Sequence, residues 1–220
     1  MQPYYQDSAV TIYHGQWQDV GLVLADVVIT DPPYNAINRE TGGLRTINKG
    51  RADSEPVSMT EVIGMVDDSG ASSVYIWCAQ EQLSEWLARL QDKGFTTRSG
   101  VWIKTDPSPM NGEYLWLSAV ELCAFGRRAG AVFNQFCAAP AWRGATARPT
   151  GHPTPKPEWL IAKQVYASSN PHQLILDPFM GGGTTLSVAK TANRRAVGIE
   201  IEERYCEIAA QRCAQEVLDL

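Results

Sequence analysis

The stretch LDPFMGGGTT, residues 176–185, decides the fold class of this 220-residue chain. The short apolar run before it, residues 173–176, predicts a β-strand, and residues 186–190 begin a helix. The glycines between them let the backbone approach a ligand closely. After the next predicted strand, residues 195–199, Glu200 stands at about the twenty-residue offset where a carboxylate binds ribose hydroxyls in dinucleotide folds. The pattern predicts an α/β fold with an adenosine site.

The glycine stretch on its own is open to other interpretations. A lone glycine loop is more often a tight turn than a ligand site, and the strand on each side together with Glu200 is what favours a ligand. A Walker phosphate loop is excluded, because no Gly-Lys-Ser or Gly-Lys-Thr sequence follows the glycines. We therefore interpret residues 176–185 as part of an adenosine site.

A second informative stretch, DPPY at residues 31–34, follows the apolar run 27–29. Proline fixes φ, has no N–H and makes the preceding residue extended, so the carbonyls of Asp31 and Pro32 are held as acceptors beside the Asp31 carboxylate. Such acceptors suit a planar amino group on an aromatic base, against which the Tyr34 ring can lie. The alternative for these residues is ordinary turn chemistry after a strand.

Together the two stretches resemble the amino-methylating DNA methyltransferases, which use S-adenosylmethionine and carry a DPPY-type catalytic motif and an FxGxG cofactor motif. Both motifs are complete, and the catalytic motif comes first, as in the permuted beta group of that family. The resemblance covers nearly the whole chain, including residues 102–104, 106–113, 121–126 and 152–157. It implies a Rossmann-like methyltransferase fold with helices on both faces of a mostly parallel sheet that has one antiparallel strand.

The resemblance implies that methyl transfer to adenine N6 is direct and in line, without a covalent enzyme intermediate. Asp31 would accept, and finally receive, a proton of the amino group, while the Pro32 carbonyl accepts the other N–H and Tyr34 stacks on the base. The expected catalytic residues are Asp31, Pro32, Pro33 and Tyr34. Because the target base must leave the duplex to reach them, a DNA-opening surface is also expected.

For the cofactor, the resemblance implies that Gly181 and Gly183 contact the methionine part, Glu200 the ribose, and Asp177 with Thr184 the amino acid end. Lys156 and Thr154 match the motif that closes the other side of the pocket. The expected cofactor residues are Asp177, Phe179, Gly181, Gly183, Thr184, Glu200, Lys156 and Thr154. His152 either has a direct role or caps the helix that begins near Pro157.

Charge is unevenly distributed along the chain. The net charge is -5, yet residues 126–157 hold five basic residues and no acidic one. A second basic cluster follows the catalytic stretch. Local positive surfaces can bind phosphates on an acidic protein, so we predict double-stranded DNA as partner; the alternative is two solvated loops. The expected DNA-binding residues are Arg39, Arg45, Lys49, Arg51, Arg143 and Arg148. Trp142 is expected either to stack on a base or to lie in the core.

The length fits a single methyltransferase domain, residues 1–220. Residues 35–57 show no apolar period and predict a mobile loop beside the catalytic stretch. Residues 127–151 form only a short insert where larger relatives carry a target-recognition domain. The target is therefore expected to be short or loosely read, or else read by a homodimer.

The other local signals are compatible with this organisation. No signal-peptide pattern or membrane-spanning run is seen, which predicts a cytoplasmic protein, bacterial or phage-encoded, with no membrane partner. Five cysteines without a CxxC pair predict reduced core thiols and no metal site. Further strands are predicted at 10–13, 73–78, 95–104 and 119–125, and helices at 59–68, 81–93, from 157, and at 202–218.

Four rival functions remain open from the residues. N4-cytosine methylation uses the same geometry, and Asp31 where serine could stand only favours adenine. A protein-glutamine methylase has asparagine at that position, and the basic segments argue against it. A non-catalytic DNA-binding partner would not need Asp31 and Glu200 together. A nicotinamide dehydrogenase would use the glycine loop, but the DPPY stretch has no role there.

Overall fold

The computed structural model describes residues 1–33, 57–109, 112–148 and 155–215. The strands in these ranges are Tyr5–Gln6 (β1), Val10–His14 (β2), Val27–Thr30 (β3), Ser73–Cys78 (β4), Thr96–Lys104 (β5), Val120–Arg127 (β6), Ala141–Gly144 (β7), Leu174–Asp177 (β8) and Arg195–Glu200 (β9). The helices are Trp17–Val20 (α1), Met59–Asp68 (α2), Leu83–Asp92 (α3), Glu158–Ser168 (α4), Thr184–Thr191 (α5) and Glu203–Ala214 (α6).

Several predicted residues lie outside the described ranges. They are Tyr34, Arg39, Arg45, Lys49, Arg51, His152 and Thr154. The predicted mobile loop 35–57 lies there too, except for its last residue, as do the last three residues of the predicted insert 127–151. Their roles, and the division of the chain into one domain with a loop and an insert, stay predictions.

The described strands form one sheet in the order β1-β2-β9-β8-β3-β4-β6-β5-β7. The neighbours from β2 to β4 are parallel. Strand β6 is antiparallel to both β4 and β5, and β1 is antiparallel to β2. The predicted α/β fold with a mostly parallel sheet is therefore confirmed. The prediction of one antiparallel strand was wrong in number, because the two-residue strand β1, too short for a sequence period, is a second one.

The chain reverses its winding direction between β3 and β8, which are neighbours in the sheet. From β3 the chain crosses through α2 to β4 on one side, whereas from β8 it crosses through α5 to β9 on the other. A crevice opens outside the carboxyl ends of the strands at such a switch point, and open α/β sheets bind their ligands there. The two motifs of the sequence, residues 31–34 and 176–185, both start at this edge.

Two apolar cores cover the two faces of the sheet. Successive residues of β3 alternate between them, since Val28 packs with α2 and α3 whereas Val27 and Ile29 pack with α4, α5 and α6. The whole strand β3 is buried, as expected of a parallel strand covered on both faces. The prediction of helices on both faces is confirmed, and the cores hold the carboxyl edge of the sheet in place.

Local signals located most elements to within a few residues. Ser58 caps α2 by accepting a hydrogen bond from the N–H of Glu61 at 3.4 Å. Pro157 is the N-cap of α4 and not its first helical residue. Strand β7 lies within the predicted insert and was not expected, because its backbone hydrogen bonds come from β5, more than thirty residues away.

None of the described helices is long and apolar enough to cross a membrane.

The described cysteines are all free thiols. Cys78, Cys123, Cys206 and Cys213 are buried, as predicted, but Cys137 is exposed. The prediction of core thiols was therefore wrong at Cys137, which lies in the connection between β6 and β7 with a positive φ of 51°. Apolar neighbours in sequence do not bury a residue when its segment crosses the surface.

Candidate active site

Three carboxylates mark the carboxyl ends of three neighbouring parallel strands. Asp31 follows β3 directly, Asp177 is the last residue of β8, and Glu200 is the last residue of β9. Asp177 and Glu200 are only 4% and 7% exposed. Because β3 and β8 flank the switch point, Asp31 and Asp177 lie on opposite sides of the crevice, although 146 positions separate them in the chain.

Asp31 is held by a lysine that lies 125 positions away in the chain. Lys156, just before α4, places its Nζ in hydrogen-bonded ion-pair contact with Asp31 Oδ2. Pro32 is buried, and Asp31 and Pro33 are half-buried. The sequence predicted Lys156 in the cofactor pocket, and in the structure it contacts Asp31, the predicted catalytic carboxylate.

A second half-buried carboxylate, that of Glu121, shares Lys156. Glu121 Oε2 lies 3.2 Å from Lys156 Nζ, and Glu121 Oε1 lies 2.7 Å from Lys104 Nζ. Burial favours the neutral form of Lys156, but the charges of Asp31 and Glu121 outweigh it and raise the pKa of the lysine. Burial likewise opposes ionisation of Glu121, but Lys156 and Lys104 outweigh it and lower its pKa. The four side chains Lys104, Glu121, Lys156 and Asp31 therefore form a row of alternating charges, which we call the charge chain.

An aromatic cluster lies beneath the charge chain. Lys156 Nζ lies 5.4 Å from the centroid of the Trp77 ring. Trp77 in turn packs against Trp102 and Trp142, with centroid distances of 6.4 and 6.0 Å. Trp142 also covers Gly100, where a Cβ would come within 2.8 Å of its ring. Trp142 is thus a packing residue, which was one of its two predicted roles, and the apolar surroundings strengthen the nearby ion pairs.

Asp177 is a buried carboxylate whose described partners are neutral. Its Oδ1 accepts hydrogen bonds from Thr30 Oγ1 at 3.0 Å and from the N–H of Phe179 at 3.2 Å. The hydroxyl of Thr185 bonds to the same carboxylate. Burial raises the pKa of Asp177 to about 7, against the lowering effect of these hydrogen bonds. A cation bound at this end of β8 would be favoured by the carboxylate.

The glycine loop between β8 and α5 turns through two left-handed positions. Gly181 and Gly183 have φ values of 50° and 75°, and Gly183 is the N-cap of α5. A Cβ on Gly183 would also lie 2.5 Å from the Cβ of Ala209 on α6. Gly183 is therefore required for helix packing as well as for the turn. Phe179 is half-buried against the core that contains α2 and α3.

Glu200 supports the same loop. Its Oε2 accepts a hydrogen bond from the N–H of Gly181 at 3.0 Å, and its Oε1 accepts one from the N–H of Glu202 at 2.8 Å. Burial is the largest effect on this carboxyl and raises its pKa. The expected acidic residue beside the glycine loop is thus in place. Its contact with a ribose stays a prediction.

Thr184, Arg143 and Arg148 are predicted site residues that do not contact the carboxylate cluster. The Thr184 hydroxyl accepts a hydrogen bond from Arg212 Nη1 at 3.1 Å, whereas the next residue, Thr185, reaches Asp177. Arg143 lies on β7, Arg148 lies four residues beyond the end of that strand, and both are exposed. The structure thus assigns neither arginine to the carboxylate cluster and leaves both on the surface.

Two clefts adjoin the end of β9. One, of about 300 Å³, lies between α1 and α2 and is lined by Trp17, Met65, Pro178 and Ile199 among others. The other, of about 330 Å³, is lined by His14, Gly15, Gln16, Asp19 and Ile201. Sequence reasoning missed these residues, as it missed the roles of Glu121 and Lys104. The strand register pairs Ile103 with Val120, so a predicted hairpin of residues 95–125 could have indicated the Lys104–Glu121 pair.

The Rossmann-like sheet, with the Asp31-Pro32 corner and the glycine loop both at its switch point, is the arrangement found in the class of nucleoside-cofactor enzymes. The family model described as a DNA methylase, covering N6- and N4-specific enzymes, matches residues 97–211, more than half of the chain. The chain belongs to the N6/N4 DNA methylase family.

Curated relatives agree with this family. The Type II methyltransferase M2.DpnII of Streptococcus pneumoniae is 25% identical over an alignment of 260 positions, gaps included, which covers 98% of this chain and 93% of that protein. The Type II methyltransferase M.HpaI of Haemophilus parainfluenzae is 46% identical over 65 residues, which cover 30% of this chain and 21% of that protein. The likeness to M2.DpnII thus extends over nearly the full length of both chains.

Solved structures show the same architecture. The complex of M1.HpyAVI with SAM matches with a TM-score of 0.71 and 25% identity, covering 93% of this chain and 99% of that chain. The PvuII DNA methyltransferase, named as cytosine-N4-specific, matches with a TM-score of 0.73 and 17% identity, covering 99% of this chain and 90% of that chain. The second likeness concerns the fold alone.

Replacing Asp177 by Asn tests the electrostatics of the site. The folded chain keeps a proton on Asp177 up to about pH 7, whereas the unfolded chain loses it near the ordinary value of 3.8. The stabilising contribution of this proton is complete below about pH 4 and is lost as the pH rises through 7. We therefore expect Asp177→Asn to gain stability relative to the parent chain between pH 4 and 8, measured by urea unfolding. An equal difference in stability at pH 4 and pH 8 would contradict this assignment.

Proposed function

We propose that this DNA methyltransferase transfers the methyl group of S-adenosylmethionine to the N6 amino group of adenine in double-stranded DNA, with the base turned out of the helix. The observation that carries the proposal is the Asp31-Pro32 corner at the switch point, beside the glycine loop. Asp31 is held there by Lys156. A base inside a duplex cannot reach a recessed corner of this kind, which supports extrusion of the base.

The methyl donor is S-adenosylmethionine, and the residues at the ends of β8 and β9 fit it. Buried Asp177 has only neutral hydrogen-bond partners among those named above, so it suits the ammonium group of the methionine part. The loop that contains Gly181 and Gly183 would lie beside that part, and Glu200 suits the ribose hydroxyls. When bound, this cofactor supplies an electrophilic methyl group on a sulfonium sulfur.

The protein residues must make a poor nucleophile reactive. The lone pair of adenine N6 is delocalised into the ring, and hydrogen bonds from its N–H groups to the Asp31 carboxylate and the Pro32 carbonyl direct the lone pair toward the methyl group. Transfer of the methyl group to N6 would leave the positive charge on that nitrogen and a neutral thioether as the other product. The amino group then loses one proton to Asp31. Orientation and electrostatics supply the catalysis, and Tyr34 would stack on the base.

N4-cytosine methylation is the second candidate, since the same corner can accept the amino group of cytosine. The fold alone does not separate the two, because it is shared with a cytosine-N4-specific enzyme. Cytosine-specific enzymes of this family can have serine at the position of Asp31. The aspartate therefore supports adenine as the target base.

Transfer of labelled methyl groups to unmethylated bacterial DNA, followed by nucleoside digestion, tests the choice of base. Label in N6-methyladenine is the expected result. Label in N4-methylcytosine would leave the proposed mechanism intact but would contradict adenine as the target base. A chain that binds S-adenosylmethionine but labels no DNA would overturn the proposed function.

Recognition of DNA is assigned to the basic surfaces. Arg143 and Arg148 are exposed, and neither is paired with a carboxylate in the described part of the chain. Phosphate contacts position a protein on duplex DNA and make its binding dependent on salt. Arg39, Arg45, Lys49 and Arg51 would extend this surface. Few residues are available for reading bases, so the target sequence is short or is read by two copies of the chain. The enzyme would act in the cytoplasm of a bacterium.

The double substitution Arg143→Gln and Arg148→Gln tests this surface. If each arginine neutralises one phosphate, the slope of log K against log salt concentration should fall by about 2. Binding to bacterial DNA by fluorescence anisotropy between 50 and 200 mM salt measures the slope. Arg89→Gln, on α3 and paired with Glu85, serves as the control and should keep the parent slope. An unchanged slope in the double variant would remove both arginines from the DNA surface.

A further inference from the structure

The connection between β5 and β6 exposes a cluster of large apolar side chains. Tyr114, Leu115 and Trp116 are 83%, 69% and 99% exposed, and Leu117 is 42% exposed. We call residues 114–117 the aromatic tip. Exposure of single apolar residues is ordinary, but a contiguous cluster of this size marks a binding surface.

The aromatic tip is carried on a fixed base. Asp106, at the start of the connection, accepts hydrogen bonds from Thr146 N at 2.8 Å and Thr146 Oγ1 at 2.9 Å. At its end, the carbonyl of Ala119 accepts a hydrogen bond from the N–H of Lys104 at 2.8 Å. The tip is therefore displayed from anchored backbone and is not a frayed end.

The base of the tip adjoins the candidate active site. Lys104 ends β5 immediately before the connection, and Glu121 stands at the start of β6 immediately after it. These two residues form the outer half of the charge chain that leads through Lys156 to Asp31. The tip thus projects from the same edge of the sheet as the catalytic corner, only a few side chains away from it.

The surroundings of the tip favour a polyanionic partner. Strand β7 runs parallel to β5, so the exposed Arg143 lies beside Ile103, one residue before the end of β5. Residues 145–148 continue past the base of the tip, where Thr146 binds Asp106, and they bring exposed Arg148 to the same region. Proteins that insert an apolar side chain into a base stack commonly place cationic side chains beside it, which bind the phosphates. Arg143 and Arg148 have such positions beside the aromatic tip.

We propose that the aromatic tip is the wedge that opens duplex DNA, with Trp116 inserted into the base stack at the position from which the target base leaves. This inference rests on the proposed function. Unstacking and unpairing a base carries a free-energy cost, and an indole that stacks on the remaining bases offsets it. The rival occupant of the tip is a second copy of this chain, which an exposed apolar cluster could also bind.

Three single variants separate these possibilities. Trp116→Ala removes the stacking ring, and Trp116→Phe keeps a ring. Phe136→Ala removes an equally exposed aromatic side chain, 95% exposed, from the connection between β6 and β7. Because β6 is antiparallel to β4, that connection starts at the opposite edge of the sheet from Asp31. Both replaced side chains, Trp116 and Phe136, are at the surface, so folding should be preserved, which thermal unfolding will verify.

The measurement is methyl transfer from labelled S-adenosylmethionine to one preparation of unmethylated bacterial DNA, either native or heat-denatured. We expect Trp116→Ala to lower kcat/KM on native DNA by roughly tenfold, the loss typical of one stacked base contact. On denatured strands, which need no opening, it should stay within about twofold of the parent. Trp116→Phe should retain most activity, and Phe136→Ala should match the parent on both substrates.

An equal loss on native and denatured DNA, or no loss on either, would overturn the wedge while leaving the proposed function intact. A loss on both substrates together with a change from dimer to monomer in sedimentation would assign the tip to a second copy instead. A parent chain that labels neither DNA would overturn the proposed function itself, and the wedge with it.

Discussion

Replacing Asp31 by Ala is expected to abolish methyl transfer, lowering kcat by roughly 10³-fold or more, the loss typical of a group that acts in the transition state. The amino group would lose the carboxylate that accepts its proton, while Asp177, Glu200 and the glycine loop would be untouched. Cofactor affinity should therefore stay within about threefold of the parent, measured by calorimetric titration with S-adenosylmethionine. Single-turnover transfer to bacterial DNA measures the chemical step.

The fold should survive this change, because Lys156 keeps a second carboxylate, Glu121, at 3.2 Å. Asp26→Ala offers a control: Asp26 stands at the opposite end of β3, where it accepts hydrogen bonds from Gln173 and from the N–H of Leu174. That variant should lose stability but not the chemical step. Turnover by Asp31→Ala at more than about a tenth of the parent rate would contradict the assignment of Asp31 as the proton acceptor.

Replacing Lys156 by Met is expected to give a large loss of stability, about 3 kcal/mol in the free energy of unfolding, as for a buried pair deprived of one partner. The lysine side chain is only 12% exposed, and it is shared by Asp31 and Glu121. Without it, Asp31 loses this ion pair, and Glu121 keeps its ion pair with Lys104. Urea unfolding at neutral pH measures the loss.

Lys93→Met is the matched control. Lys93 also forms an ion pair, with Asp67 at 2.9 Å, but its side chain is 42% exposed. Exposed pairs contribute little because water and salt screen them, so this variant should unfold like the parent. A small loss from Lys156→Met, comparable to that of the control, would mean that the charge chain is solvated and does not hold the site together.

The two motifs could be located from the sequence because each is a local event. A buried strand followed by Asp-Pro-Pro, or by glycines, can be recognised within ten residues, since proline and glycine restrict or extend the allowed backbone angles. Glu200 was located by its spacing from the glycines. Strand β7 and the shared lysine could not be located in this way. The hydrogen bonds of β7 come from β5, and Lys156 meets Asp31 across 125 positions.

The orientation of neighbouring side chains could not be predicted from the sequence either. The sequence indicated Thr184 for the cofactor end of the site, but at the start of α5 the hydroxyl of Thr185 reaches Asp177 while that of Thr184 bonds to Arg212. Successive residues of a helix point about 100° apart, so a motif alone does not say which of two threonines faces a carboxylate.

The sequence by itself determined the α/β class, the order of the catalytic and cofactor motifs, and the carboxylates at the ends of β3, β8 and β9, because these follow from local backbone preferences and apolar runs. Only the tertiary structure decided which of these strand ends are neighbours. It also decided that Lys156 forms an ion pair with Asp31 and that Glu121 and Lys104 complete the charge chain. The reason is that strand order and register bring together side chains far apart in the chain, and local preferences carry no information about those distances.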